Sequence, residues 1–225
     1  MPRRLLPLVE GQIYHVFNRG IDHRPTFSDK RELNRAMSSI DYYRFVNTPL
    51  RFSKFLKLSN ADRNKQLDKI KTSMRLVDIL GFCLMPNHFH LLLRQTYESG
   101  ISKFLSTFQN SYTKYFNTKN ERTGPLFLGQ FKAVLVETEE QLIHVSRYIH
   151  LNPSTSYVVK DFESLLNYSW SSLAEYMEKK ELMCETETIL NFFKSRKDYV
   201  DFLKDQVGYQ RELDRIKHLL LDNTT

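Results

Sequence analysis

The chain has 225 residues, of which 41% are hydrophobic and 13% aromatic, with seven glycines and seven prolines. This composition supports a folded domain with an extension and excludes a disordered tail, a collagen-like fibre and a low-complexity linker. The two cysteines, Cys83 and Cys184, are far apart, which excludes a disulfide framework and a thiolate zinc cluster and fits a reducing cytoplasm. No apolar run reaches about 18 residues, so we expect a soluble cytoplasmic protein without a membrane span.

The charge of the chain is unevenly distributed. The formal net charge is +7 and the pI is about 9.3. Residues 51–75 hold eight basic and two acidic residues, whereas residues 174–225 hold nine basic and eleven acidic ones. We therefore place a domain boundary near residue 173 and expect a polyanion to bind the first three quarters of the chain.

The first predicted elements are a strand over residues 12–19 and a helix over residues 29–46. The strand is rich in aromatic and β-branched residues, and the helix has apolar residues at helical spacing. A basic insertion at about residues 48–75 follows and contains one predicted amphipathic helix at residues 60–73. Its cations could simply form a solvated helix face.

The next elements complete a recognisable order. Two apolar runs at residues 75–86 and 88–95 are separated by turn residues and predict a β-hairpin. A helix over residues 99–117, a strand over 130–137 and a helix over 139–151, which Pro153 is expected to end, come next. This order predicts an α+β fold, a ferredoxin-like split βαβ domain with an antiparallel sheet. A helical C-terminal extension at residues 174–225 follows it.

The hairpin contains the first candidate site. In His88-Phe89-His90 the period of two places both imidazoles on one face of the strand, about 6.6 Å apart at the backbone. Two histidines on a rigid strand can share a divalent cation. The pair could equally be ordinary polar residues on an exposed sheet face. Other metal motifs are absent from the sequence, so a third ligand must come from elsewhere.

The helix predicted at residues 139–151 offers that ligand. His144, Tyr148 and Asn152 recur every four residues and share one stripe. Asn152 lies near the negative end of the helix dipole, which favours a bound cation. Tyr148 could instead be a half-buried core residue whose hydroxyl finds a partner.

Five segments together resemble a known family. The segments are IYHVFNRG at 13–20, MPNHFHLLLR at 85–94, GPLFLGQFKAVLVE at 124–137, YIHLNP at 148–153 and WSS at 170–172. In this order they resemble the IS200-like (Y1) transposases, most closely the REP-associated tyrosine transposases of the HUH endonuclease superfamily. The resemblance spans about residues 11–173 and implies a ferredoxin-like fold.

The resemblance also implies a set of roles. His88 and His90 correspond to the HUH metal ligands, Asn152 to the third ligand and Tyr148 to the nucleophile. The implied cofactor is Mg²⁺ or Mn²⁺, which hard oxygen and imidazole ligands can hold. The implied substrate is single-stranded DNA beside a hairpin, cleaved and transferred through a 5′-phosphotyrosine by a monomer or a homodimer.

Further residues are predicted from their position. His144 is a candidate proton acceptor one turn from Tyr148, although a structural role is equally compatible with the sequence. Tyr112 and Tyr115 are rival nucleophiles, and their spacing favours core packing. Predicted contacts to DNA phosphates are Asn18, Arg19, Lys132, Arg147, Arg51, Lys54 and Lys57. The alternative function is a non-catalytic ferredoxin-like protein that binds single-stranded nucleic acid.

Overall fold

A four-stranded antiparallel sheet is the centre of the protein, whose computed structural model describes residues 7–178 and 183–205. The sheet order is β2-β3-β1-β4. The strands are β1 (Ile13–Arg19), β2 (Val77–Met85), β3 (His88–Gln95) and β4 (Lys132–Val136). Each neighbouring pair is antiparallel, which confirms the predicted ferredoxin-like arrangement.

Helices connect and flank these strands. Those within the described residues are α1 (Lys30–Tyr43), α2 (Phe52–Phe55), α3 (Asn60–Lys71), α4 (Gly100–Lys119), α5 (Glu139–Thr155), α6 (Phe162–Leu166), α7 (Leu173–Met177), α8 (Glu187–Leu190) and α9 (Arg196–Lys204). Thr138 caps the start of α5, because its Oγ1 accepts from Gln141 N at 3.1 Å, and Gln141 Oε1 accepts from Glu137 N, one residue before the cap, at 2.8 Å. In the described part of the chain, no helix combines the length and apolarity needed to cross a bilayer.

Successive side chains of each strand point to opposite faces of the sheet, and this alternation divides the core into two layers. Tyr14, Val16 and Phe89 belong to a cluster that packs the sheet against α1 and α4. The opposite face packs mainly against α5 and the helices that follow it. Because His88 and His90 alternate with Phe89, they lie on the α5 face.

The segment after α6 adds a further pairing to the edge of β2. Ser172 N donates to Phe82 O at 3.0 Å and Leu84 N donates to Trp170 O at 2.8 Å. The sheet edge at β2 is therefore covered by the WSS segment, residues 170–172.

The C-terminal extension is helical where it is described. Helices α7, α8 and α9 contribute Tyr176, Ile189 and Tyr199 to the same core as α5. The predicted boundary near residue 173 stays a prediction, and the part of the extension at residues 206–225 lies outside the described residues.

The prediction that Pro153 ends the helix of residues 139–151 is wrong. Helix α5 continues to Thr155 with Pro153 inside it. Proline lacks an N–H donor and its ring crowds the carbonyl four residues earlier, yet the turn that follows is closed by Ser156 N, which donates to Asn152 O at 3.0 Å. Residues 151–155 are buried, so tertiary packing outweighs the local preference of the residue before proline. Asn152 consequently lies in the last helical turn.

Candidate active site

The histidine pair of β3 lies on the face of the sheet that α5 covers. The ring centroids of His88 and His90 are 5.0 Å apart and the rings are perpendicular. Between them Phe89 points to the other layer, where its ring contacts Phe108 and Phe127. The strand therefore separates polar chemistry from core packing, as the sequence pattern predicts.

Hydrogen bonds hold both imidazoles by their Nδ1 atoms. His88 Nδ1 is 2.7 Å from Asn87 Oδ1, and His90 Nδ1 is 2.9 Å from His15 Nε2. Asn87 Oδ1 can only accept, so His88 donates from Nδ1; if His90 also donates from Nδ1, both Nε2 atoms carry a lone pair. A hydrogen bond on the far side of the ring is what orients a histidine that ligates a metal.

Asn152 brings the third candidate ligand to the pair. Its side chain is buried, with Nδ2 3.4 Å from His90 Nε2. Rotation of this amide group by half a circle exchanges Nδ2 for Oδ1, which then faces the imidazoles. Two neutral imidazoles and one amide oxygen therefore form a donor set that fits a divalent cation.

Within residues 7–178 and 183–205, no group of three or more His, Cys, Asp and Glu side chains is placed to hold a metal ion. The candidate donor set instead combines two histidines with an asparagine. The fit therefore depends on the amide of Asn152, whose placement comes from α5.

Tyr148 reaches the histidines from α5. Its ring centroid lies 5.4 Å from that of His90 and 5.8 Å from that of His15, and both contacts are edge to face. The tyrosine is 38% exposed. A partly exposed phenol that packs against the candidate ligand His90 is a candidate nucleophile.

Burial keeps the imidazoles neutral. The pKa of His90 lies well below its ordinary value because of desolvation first, with the neighbouring His88 and His15 adding to the effect. Desolvation also lowers the pKa of His88, and it lowers the pKa of His15 to about 4. Neutral imidazole is the form that binds a metal.

Two predicted phosphate contacts flank the pair. Arg19 lies opposite His88 in the β1–β3 register and is exposed. Lys132 lies opposite Phe17, which in turn lies opposite His90, so Lys132 occupies the same face of the sheet. The site is thus bordered by one cation near the end of β1 and another on β4.

The other predicted residues of α5 face the C-terminal extension. Arg147 donates from Nη2 to His144 Nδ1 at 2.7 Å, and its guanidinium lies 4.3 Å from the centroid of the Phe202 ring. The ring of His144 also lies 6.1 Å from that of Phe202. This placement gives both residues a packing role against α9, and their predicted roles in proton transfer and phosphate binding stay predictions.

Asn18 is buried and hydrogen bonded inside the protein. Its Nδ2 donates to Gln109 Oε1 and to Leu128 O, both at 3.0 Å, and its Oδ1 accepts from Arg19 N at 2.9 Å. The side chain links β1 to α4 and to the loop before β4. These bonds account for its amide without a phosphate.

Sequence reasoning missed His15 and Phe17. Both lie on β1 with their rings against His90, at centroid distances of 5.1 and 5.6 Å. The signal was present, because the period of two in IYHVF places residues 15 and 17 on one face. Pairing β1 beside β3, which the ferredoxin-like order requires, would have brought that face to the histidine pair.

The rival tyrosines of α4 lie in the other layer. Tyr112 is completely buried, donates to Thr26 O at 2.7 Å and has its pKa raised by desolvation. Tyr115 packs against the same cluster, and burial raises its pKa too. Arg51, Lys54 and Lys57 also belong to the α1 and α4 side, since Phe52 and Phe55 anchor α2 in that cluster.

Comparison with known families decides the relationship. A family model described as "Transposase IS200 like" matches residues 38–152, half of the chain, and this range contains His88, His90, Tyr148 and Asn152. The chain belongs to the IS200-like transposase family. Membership places it among transposases and confirms the resemblance read from the sequence.

A solved structure supports the same assignment at the level of the fold. The structure described as that of a REP-associated tyrosine transposase bound to a REP hairpin matches with a TM-score of 0.52 and 12% sequence identity. The alignment covers 78% of this chain and 84% of the other. The comparison with curated proteins gives no match.

Proposed function

We propose that this IS200-like transposase cleaves single-stranded DNA and transfers the cut strand through a covalent bond to Tyr148. The observation that carries the proposal is the packing of the Tyr148 ring against His90 and His15. A family member with a nucleophile beside a set of neutral metal ligands has the parts needed for phosphoryl transfer to a side chain.

In the proposed reaction the Tyr148 oxygen attacks the scissile phosphorus. The new oxygen–phosphorus bond forms as the bond from phosphorus to the 3′ oxygen breaks. The phenol loses its proton and the departing 3′ oxygen gains one. The product is a 5′-phosphotyrosine, which conserves the energy of the phosphodiester, so a second 3′ hydroxyl can reverse the step without ATP.

A divalent cation, Mg²⁺ or Mn²⁺, is proposed to bind His88, His90 and Asn152. Such an ion supplies Lewis acidity to the phosphate oxygens. The residues of the chain do the rest: Asn87 and His15 orient the imidazoles, and α5 holds Asn152 and Tyr148 on one stripe. Arg19 and Lys132 are proposed to bind the flanking phosphates.

The proposed site is complete within one chain. The tyrosine and the histidine pair that it contacts belong to the same subunit, and α5 is packed against α9 through Arg147 and Phe202. We therefore propose that Tyr148 acts on the metal site of its own subunit. A mixture of Tyr148→Phe and His88→Ala proteins should then remain inactive, whereas exchange of α5 between subunits would restore cleavage.

The test is the formation of a covalent adduct. The protein is incubated with labelled single-stranded DNA that contains a hairpin, with Mn²⁺, and separated on a denaturing gel. We expect an adduct that disappears in Tyr148→Phe and in the presence of a chelator. Tyr115→Phe is the matched control and should keep it.

The alternative function gives a different result. A non-catalytic nucleic-acid-binding protein forms no adduct, and its affinity for single-stranded DNA is the same with and without chelator. An adduct that persists in Tyr148→Phe contradicts the proposed nucleophile.

A further inference from the structure

A basic groove lies in the other layer of the molecule, away from the histidine pair. It is bounded by α1, α2 and α4 and has a volume of about 840 Å³. Its six cationic lining residues are Arg31, Arg35, Arg51, Lys57, Lys114 and Lys119. No aspartate or glutamate is part of the lining formed by the described residues.

The floor of the groove is built around Arg35. Its guanidinium lies 4.5 Å from the centroid of the Phe52 ring and 5.0 Å from that of Tyr115. Two aromatic rings from α2 and α4 thus fix the position of this cation. Its Nε is buried and has no hydrogen-bond partner among the described residues. Phe52 belongs to the basic insertion at residues 48–75. The groove therefore depends on a segment that contributes no residue to the proposed active site.

The cations of the groove are mostly not neutralised. Lys119 binds the carboxylates of Asp29 and Glu32. Within residues 7–178 and 183–205 no ion pair involves the other five cations. Small neutral side chains, among them Ser53, Asn110 and Thr118, line the groove between the charges. Cations interspersed with hydroxyl and amide donors are the side chains that bind phosphate oxygens.

The groove cannot be a part of the active site. Helices α1 and α4 pack on the face of the sheet that carries Phe89, and the histidines lie on the other face. The sheet and the larger core cluster separate the two surfaces. DNA bound in the groove is therefore a different segment from the one in the active site, or belongs to a different strand.

We propose that this groove binds the phosphodiester backbone of a single-stranded segment of the substrate DNA, outside the segment that is cleaved. The inference rests on the proposed function for the identity of the polyanion. The rings of Phe52 and Tyr115 hold the Arg35 guanidinium in the groove, where an extended strand can reach it. A duplex presents its phosphates on a convex surface and reaches chiefly the rim.

The experiment compares two triple variants that lose the same charge. Arg51→Gln, Lys57→Gln and Lys114→Gln change exposed cations of the groove, and Tyr115 and Arg35 remain in place. The matched control changes three exposed cations of α3 in the same insertion that do not line the groove, namely Lys65→Gln, Lys69→Gln and Lys71→Gln.

The readout is the fluorescence anisotropy of labelled oligothymidylate of 40 nucleotides, which forms no hairpin, over a range of salt concentrations. The groove variant should bind about tenfold more weakly at 0.1 M salt. It should also lower the slope of log Kd against log salt by about 2, since each lost phosphate contact on a single strand removes about 0.7. The α3 control should remain within about twofold of the unchanged protein.

Three results overturn the proposal. The first is a groove variant that binds as tightly as the unchanged protein. The second is an α3 control that loses as much affinity as the groove variant. The third is a groove variant that loses affinity for a 40-base-pair duplex alone. Circular dichroism and thermal melting of both variants establish that the fold is retained.

The same proteins separate this inference from the proposed function. The groove variant should still form the Tyr148 adduct with a short oligonucleotide that spans only the cleavage site. If the unchanged protein forms no adduct but the groove variant binds oligothymidylate more weakly, the proposed reaction fails and the groove stands. If the adduct forms and the groove variant binds as the unchanged protein does, the groove fails alone.

Discussion

The two layers of the molecule use polar side chains in opposite ways. On the α5 face, His88, His90 and Asn152 are partly or fully buried and hydrogen bonded, and burial disfavours the charged forms of the two imidazoles. On the α1 and α4 face, the cations of the groove are mostly exposed, and the cluster buried beneath them is apolar and rich in aromatic rings. Fixed, neutral donors suit a metal, whereas exposed charges suit a polyanion.

The largest effect is expected when a buried candidate metal ligand is removed from the α5 face. His90→Ala should reduce the rate of adduct formation by about ten-thousandfold, because Lewis-acid stabilisation of the transition state amounts to several kcal/mol. Quantified denaturing gels at saturating Mn²⁺ measure this rate. Single-stranded DNA binding should change by less than about threefold, and a rate within tenfold of the unchanged protein would contradict the assignment of His90.

The neighbouring residue gives the opposite result. Phe89→Ala removes a ring that contacts Phe108 and Phe127 in the other layer. The free energy of unfolding should fall by about 3–5 kcal/mol, as expected for a large buried aromatic residue. Urea denaturation measures the loss. The adduct rate per folded molecule should stay within a few-fold of the unchanged protein; a loss comparable with that of His90→Ala would show that the two faces are not separate.

A smaller effect is expected at His15, which supports His90 from behind. His15→Phe removes the partner of His90 Nδ1 and should raise the Mn²⁺ concentration needed for half-maximal adduct formation by about 10–100-fold. A Mn²⁺ titration of the adduct assay measures the shift. His15→Gln supplies an amide oxygen as acceptor in place of the ring nitrogen and should recover part of the affinity. Equal Mn²⁺ dependence in all three proteins would leave His15 a packing residue.

Much of the fold follows from the sequence because its strong signals are local. The period of two in β1 and β3 and the helical period in α4 predict those elements to within a few residues. The order of the elements then predicts the sheet. Helix α2 was not predicted, because four residues are too few to show a helical period. It is held in place by Phe52 and Phe55, which are buried in the core.

The sequence predicts the parts of the site that lie within one strand or one helix, but not how those parts meet. The spacing of His88 and His90 along a strand, and that of Tyr148 and Asn152 along a helix, predict shared faces within each element. Their meeting across β3 and α5 is a tertiary contact, and only the family resemblance pointed to it. The continuation of α5 through Pro153 and the contact of Arg147 with Phe202 depend on packing between distant segments, which no local pattern contains.

The most direct test of the central claim is to locate the DNA on the protein. Trypsin cleavage after Arg147 and Lys160 releases the peptide YIHLNPSTSYVVK, which holds Tyr148 and Tyr157. Tandem mass spectrometry of the nuclease-trimmed adduct should place the nucleotide on Tyr148. A nucleotide on Tyr157, or on the peptides that contain Tyr112 or Tyr115, would contradict the account.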